Sequence, residues 1–171
     1  MQEIRSKDIS FDLLDNGAIG IIKAKDTMIN QVKGNSYDGS LMNLYLRLTD
    51  DGGKNDYVPL IGPKSESDFF VNQNSARWEG QFLDISYVLT LNLIDNMWFW
   101  KINVKGKTKH QVDLTYVQDL GLGAESFVTA NEAYSSQYID NYVVKDGEYI
   151  TVCSRQNQSQ SGKYPYLQQG S

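Results

Sequence analysis

Residues 82–93, FLDISYVLTLNL, followed by residues 97–104, MWFWKINV, decide the fold class. In the first run Leu83, Ile85, Tyr87, Leu89, Leu91 and Leu93 share one parity, while Asp84, Ser86, Thr90 and Asn92 hold the other. That is the period of a half-buried strand, with one side chain in two facing an apolar layer. After the break at Asp95-Asn96, the residues Trp98, Trp100, Ile102 and Val104 again share a face, opposed by Lys101 and Asn103. A short polar break between two alternating runs predicts a β-hairpin. Val112, Leu114 and Tyr116 alternate with Gln111, Asp113 and Thr115, which predicts a third strand continuing the meander across KGKTKH, residues 105–110, as a solvated hairpin tip.

The first half of the chain repeats the theme. FDLL, AIGIIKA, TMINQV, LMNLYLRLT, YVPLI and FFV are apolar runs separated by DNG, KD, SYDG, DDGGKND and GPKSES, and each separator carries turn chemistry. No segment keeps helical spacing for three turns, and β-branched and aromatic residues dominate the runs. The expected fold is therefore all-β, an antiparallel β-sandwich occupying residues 1–155, with residues 156–171 a polar tail or the start of further structure.

At 171 residues the chain is long enough for one domain with its own core. It has 16 Lys and Arg against 21 Asp and Glu, a formal net charge of -5, which disfavours general attraction to nucleic acid. No window approaches eighteen continuous apolar residues, which argues against a helical membrane span. Cys153 is the single cysteine and no leader-like apolar run is evident at the start, so a reducing, cytoplasmic setting is expected. One Cys and one His cannot build a closed soft-ligand site, and no metal or other cofactor is expected. Cys153, inside YITVCS, reads as a buried small hydrophobe rather than a nucleophile served by His110.

Functional candidates concentrate between Gln118 and Gln160. NEAYSSQYID, residues 131–140, is unusually rich in aromatic, acidic and amide side chains for a plain turn. Tyr134, Tyr138 and Tyr142 recur every fourth residue, which on a helix turn would make one aromatic face, and Tyr164 and Tyr166 follow. Rings beside planar hydrogen-bonding groups suit carbohydrate, whose C–H faces stack while its hydroxyls need partners. The alternative is that the same tyrosines pin a long loop to the sandwich. The acids Asp119, Glu125, Glu132 and Asp140 are possible acid or base groups for sugar chemistry, or loop anchors.

DGSLMNLYLRL (38–48), MWFWKINV (97–104), TYVQDLGLG (115–123), NEAYSSQYID (131–140), YITVCSRQNQ (149–158) and YPYLQQG (164–170), in this order over nearly the whole chain, resemble the amino-terminal region of 1,2-β-oligoglucan phosphorylases. The resemblance implies a galactose-mutarotase-like super-sandwich, incomplete in this chain, that precedes a catalytic barrel of paired helices. It implies a parent enzyme in which phosphate attacks the anomeric carbon of a β-1,2-linked glucan, releasing α-glucose 1-phosphate. Acid and phosphate site would belong to the barrel, so no catalytic residue carries over. The expected role is a non-catalytic domain, with this chain a fragment or one part of a split polypeptide. The catalytic barrel is the expected partner, a β-glucan oligosaccharide is a possible one, and self-association is expected if the barrel is missing. The matching residues Asn131, Glu132, Tyr134, Gln137, Tyr138, Asp140, Arg155, Gln156 and Asn157 are the expected interface or ligand-binding set. A free-standing carbohydrate-binding sandwich is the alternative. A mutarotase-like epimerase is the weakest possibility, because His110 stands alone among lysines.

Overall fold

A computed structural model describes all 171 residues, Met1–Ser171. The backbone is dominated by strands in four antiparallel sheets, broken by two short helices, an all-β sandwich-like fold. The first sheet is a meander of β1 (Gln2–Ser6), β2 (Ile9–Leu13), β3 (Ile19–Ala24) and β4 (Thr27–Met28), extended beyond β4 by β12 (Gly123–Ala124). In the second, β5 (Asn43–Thr49) lies between β6 (Asn55–Pro59) and β11 (Gln111–Val117). The third runs β10-β9-β8-β7, from β7 (Asp68–Val71) and β8 (Ser75–Phe82) through β9 (Ile85–Ile94) to β10 (Met97–Gly106). The fourth orders β13 (Ile139–Asp146), β14 (Tyr149–Gln156) and β15 (Tyr166–Gly170), and is reached through α1 (Glu125–Ala130) and α2 (Glu132–Ser136).

The first three sheets share one core, because each lays its apolar parity inward. Phe11, Leu13, Ile19 and Ile22 come from the first sheet, Leu44, Leu46 and Leu48 from the second, and Trp78, Ile85, Tyr87, Leu89 and Leu91 from the third. Aromatic contacts run along the third sheet and, at Phe11–Trp98, tie it to the first. Phe69 stacks on Trp78 at 5.1 Å, Trp78 leans on Trp100 at 5.7 Å, and Phe11 meets Trp98 edge-on at 5.6 Å. The Trp78 indole N–H, buried, donates to the Gly17 carbonyl at 3.0 Å. Gly17 has φ +75° and any Cβ there would sit 2.8 Å from the indole nitrogen, so only glycine fits this approach. The fourth sheet adds little to the core; Ile139 and Leu167 pack against it from one end.

The hairpin of residues 82–104 forms with Trp98 opposite Leu93 and Trp100 opposite Leu91. Trp98, Trp100 and Ile102 pack on the core as their parity predicts. Four expectations are corrected. Leu83 does not continue the apolar face of β9: it sits in the two-residue turn between β8 and β9, with φ +53° and 63% exposed. β8, a strand that the apolar runs of the sequence do not mark, alternates buried Ala76 and Trp78 with Arg77 and Glu79. The third strand of the predicted meander, β11, pairs with β5 and not with β10, so residues 107–110 cross between sheets and are no hairpin tip. Its alternation suits either edge; the register on β5 brings Asp113 opposite Arg47, which donates to it at 2.9 Å and 3.1 Å. TMINQV yields only the two residues of β4, since Asn30 turns inward to serve backbone groups.

The burial pattern sets the expected outcome of two nearby substitutions. Leu89→Ala removes a fully buried side chain and should cost about 2–5 kcal/mol in urea unfolding. Leu83→Gly should be neutral or stabilising by up to about 1 kcal/mol, since it relieves a left-handed backbone and loses little burial.

Candidate functional site

Three buried polar side chains attach the candidate region to the sandwich. Asn30 accepts from the Ile22 N–H at 2.8 Å and donates to the carbonyls of Gly20 at 3.2 Å and Val32 at 2.7 Å, which shapes residues 29–33 into a bracket. Asp119 enters that bracket: its Oδ2 accepts from the N–H groups of Gln31 at 2.8 Å and Val32 at 2.9 Å. The Gln31 amide reaches on to the Glu132 carbonyl at 2.9 Å and the Ser136 hydroxyl at 3.2 Å. Gln156, fully buried, donates to the carbonyls of Gly121 and Ser135, both at 3.1 Å, and accepts from the Gln158 N–H at 3.0 Å. Loop, helix and fourth sheet are therefore held by side chains that satisfy backbone groups which would otherwise be buried unpaired.

Upon this frame the expected site residues divide into two groups and do not form one patch. Asn131 caps α2, accepting from the Tyr134 N–H at 3.0 Å. Glu132 opens α2. Tyr134 and Tyr138 meet edge-on with centroids 5.0 Å apart, their hydroxyls hydrogen-bonded at 3.0 Å, and Phe127 adds an edge contact to Tyr134 at 6.2 Å. Gln137 lies exposed at the end of α2. Tyr142 does not join this aromatic group, because the helix ends at Ser136 and Tyr142 stands on β13. The second group lies on the fourth sheet. Asn157 donates its amide to Asp140, and the Arg155 guanidinium lies 5.3 Å over the Tyr164 ring. Gln156 points away from both groups into the interior, where its amide is a strut.

Along β13 and β14 alternate residues face opposite ways, and paired residues share a face. On one face lie Tyr142, Cys153 and Gln168 in one cross-strand row, and Asp140, Arg155 and Tyr166 in the next. Tyr142, Cys153, Arg155, Tyr166 and Gln168, together with Ser154 and Tyr164, bound an open cleft of about 440 Å³. On the other face, Ile139, Gln156 and Leu167 meet the sandwich, while Val143, Ile150 and Val152 project beyond it and stay exposed. Tyr142 and Gln168 were absent from the expected set. Their signal was the alternation of Tyr164, Tyr166 and Gln168 in YPYLQQ, masked by a composition that reads as a polar tail.

The acids have separate tasks. Burial raises the Asp119 carboxyl above its ordinary 3.8 despite the backbone donors that favour its charge, and its Oδ1 has no partner. Glu125 receives Lys23 at 2.7 Å and Lys33 at 2.6 Å, which hold it down at about 2. Asp140 accepts from Asn157. No group of three or more His, Cys, Asp and Glu side chains converges as a metal site would.

Residues 12–171 match the family described as the SOGP N-terminal domain. The chain is also 35% identical over 170 residues to a 1,2-beta-oligoglucan phosphorylase of Listeria innocua serovar 6a. That alignment covers 99% of this chain and 15% of the relative, so the chain spans less than a fifth of the length of the curated protein it matches.

The two acids predict opposite pH responses. Glu125 has a folded value below the unfolded one, so its contribution is complete above about 4.5 and is lost as pH falls toward about 2. Because its side chain is 36% exposed, Glu125→Gln should cost no more than about 1 kcal/mol at pH 7 and nothing at pH 2. Asp119 is raised, so the folded state binds its proton more tightly and stability falls as pH rises through 3.8 and the folded value. Asp119→Asn, which keeps an acceptor, should flatten that fall. Asp119→Ala should cost about 1–3 kcal/mol at any pH by stranding two N–H groups. Urea unfolding from pH 2 to 8 separates the three.

Proposed function

The chain belongs to the SOGP N-terminal domain family, and from that membership we propose that it acts as the non-catalytic amino-terminal domain of a glycoside phosphorylase. The enzyme would cleave β-1,2-glucooligosaccharides with phosphate to give α-glucose 1-phosphate, the chemistry residing in a catalytic domain that this one flanks. The four sheets would be part of a galactose-mutarotase-like super-sandwich.

One observation carries the role. The inner face of the fourth sheet is half used: Ile139 and Leu167 are packed on the sandwich, yet Val143, Ile150 and Val152 on the same face are open to solvent. A patch of β-branched side chains continuous with a packed layer is a seat for another protein surface. The aromatic group of Phe127, Tyr134 and Tyr138 offers a second, rigid contact surface. A non-catalytic role is supported by the engagement of Asp119, Glu125 and Asp140 with separate anchoring partners. The alternative, a free-standing carbohydrate-binding sandwich, is favoured only by the open cleft on the opposite face.

The purified chain, given β-1,2-glucooligosaccharide and phosphate, should release no glucose 1-phosphate. Turnover abolished by Glu132→Gln would overturn the reading. With no catalytic domain present the chain should self-associate in sedimentation over a wide concentration range, and Val143→Asp with Val152→Asp should make it monomeric. A wild-type chain that stays monomeric and is indifferent to both changes would favour the free-standing module.

A further inference from the structure

The outer face of the fourth sheet has a chemistry unlike the aliphatic inner one. Tyr142 is 57% exposed, Tyr166 73%, and Tyr164 is also exposed, so three rings reach solvent around one cleft, one face of Tyr164 being taken by Arg155. The Tyr164 and Tyr166 hydroxyls are not spent on a hydrogen bond within the protein, in contrast to Tyr134 and Tyr138, which bond each other, while the Tyr142 hydroxyl lies against the Cys153 thiol. Arg155 makes no ion pair and donates no side-chain hydrogen bond; its guanidinium is presented by stacking on Tyr164. Gln168 touches only the Cys153 sulfur, at 3.7 Å, leaving its carbonyl oxygen free. The cleft thus combines exposed rings with uncommitted planar donors and acceptors, on a rigid sheet that keeps them in register.

Geometry and charge limit the occupant. The two cross-strand rows stand two residues apart along the strands and span three strands, a field on the order of 7 by 10 Å, the footprint of one or two pyranose rings. Asp140 shares the row of Arg155 but lies outside the cleft lining, so the face as a whole carries one charge of each sign while Arg155 is the charged group of the cleft itself. Tyrosine rings and amide and guanidinium planes lining an open, shallow cleft match a neutral polyhydroxylated chain: rings take the C–H faces and the planar groups take the hydroxyls. A protein partner would find little aliphatic surface here, since Val144 alone provides it near the strand ends.

We propose that this face, built by Tyr142, Arg155, Tyr164, Tyr166 and Gln168, is a non-catalytic binding site for a β-linked glucan chain, separate from the inner face that seats the catalytic domain. The site rests on the domain role proposed above, which supplies the linkage. It holds the glucan by stacking and hydrogen bonding, with no bond made or broken.

Calorimetric titration of the 171-residue chain with a short β-1,2-glucooligosaccharide tests it, with the Tyr and Arg resonances followed by NMR. Saturable binding is expected, weakened at least about tenfold by Tyr166→Ala and by Arg155→Leu, and unchanged by Tyr134→Ala with Tyr138→Ala. Tyr142→Phe keeps the ring and should weaken binding less than Tyr142→Ala, which guards against a variant that loses the fold. Absence of saturation up to about 10 mM, well beyond the range of a useful subsite, would overturn the proposal. So would binding indifferent to Tyr166→Ala in a folded variant, or heat evolved with inorganic phosphate alone and suppressed by Arg155→Leu. These failures leave the domain role standing, whereas turnover by the isolated chain would remove that role without touching the binding measurement.

Discussion

The arrangement of the candidate region depends on one buried amide. Gln156 ends β14 inside the protein, where its NH2 group meets the carbonyls of Gly121 and Ser135 and its oxygen meets the Gln158 N–H. Those partners belong to the loop before β12, to α2 and to the segment after β14, three pieces with few apolar side chains to hold them. A hydrophobic contact is non-directional and would leave their relative rotation free, whereas three directed hydrogen bonds in a dry site fix it. Removing the amide would strand two buried carbonyls and one N–H, and the loss of those pairings exceeds the worth of any single bond.

Asn30 and Asp119 extend the same device to the first sheet, so the fourth sheet is positioned by a polar chain running from β3 through residues 29–33 and 119–121 to β14. Tyr116 adds a strut, accepting from Gln169 on β15 at 3.2 Å and donating to Gln118 at 2.5 Å, with burial pushing its hydroxyl up to about 12. A sheet held at one end by satisfied polar groups can project its other end without apolar support. That explains how Val143, Ile150 and Val152 stay exposed on an ordered sheet, and how the opposite face remains free for a ligand.

Much of the fold was legible because period-two alternation survives in any strand with one buried face. Ile85 to Leu93 and Trp98 to Ile102 were read correctly down to the parity of each residue. Alternation does not say which neighbour a strand takes. β11 satisfies its pattern equally beside β10 or β5, and the choice lies in long-range register and the Arg47–Asp113 pair. It also fails at turns: Leu83 has the right parity and the wrong backbone. For the candidate site, four-residue tyrosine spacing suggested a single aromatic face, which holds for Tyr134 and Tyr138 but fails at Tyr142 because the helix is one short turn. Gln156 and Arg155 are adjacent and chemically similar in sequence, yet strand parity sends one into the interior and the other to solvent.

The polar groups also divide into structural and available ones. Asn131, Gln156, Asp119 and the Asp140–Asn157 pair are spent on caps, struts and turns, each meeting a partner within the protein. Arg155, Tyr164 and Tyr166 are not, and with Tyr142 and Gln168, which meet only the Cys153 sulfur, they converge on one face. A polar side chain left unspent at the surface costs the fold nothing, since water satisfies it, so stability alone gives no reason to gather such groups around one cleft. Three exposed rings with a guanidinium free of ion pairs, on a sheet braced from behind, are what the proposed glucan site would use. The groups of the proposed glucan site come from β13, β14, β15 and the segment before β15, and they meet only when β15 closes against β14.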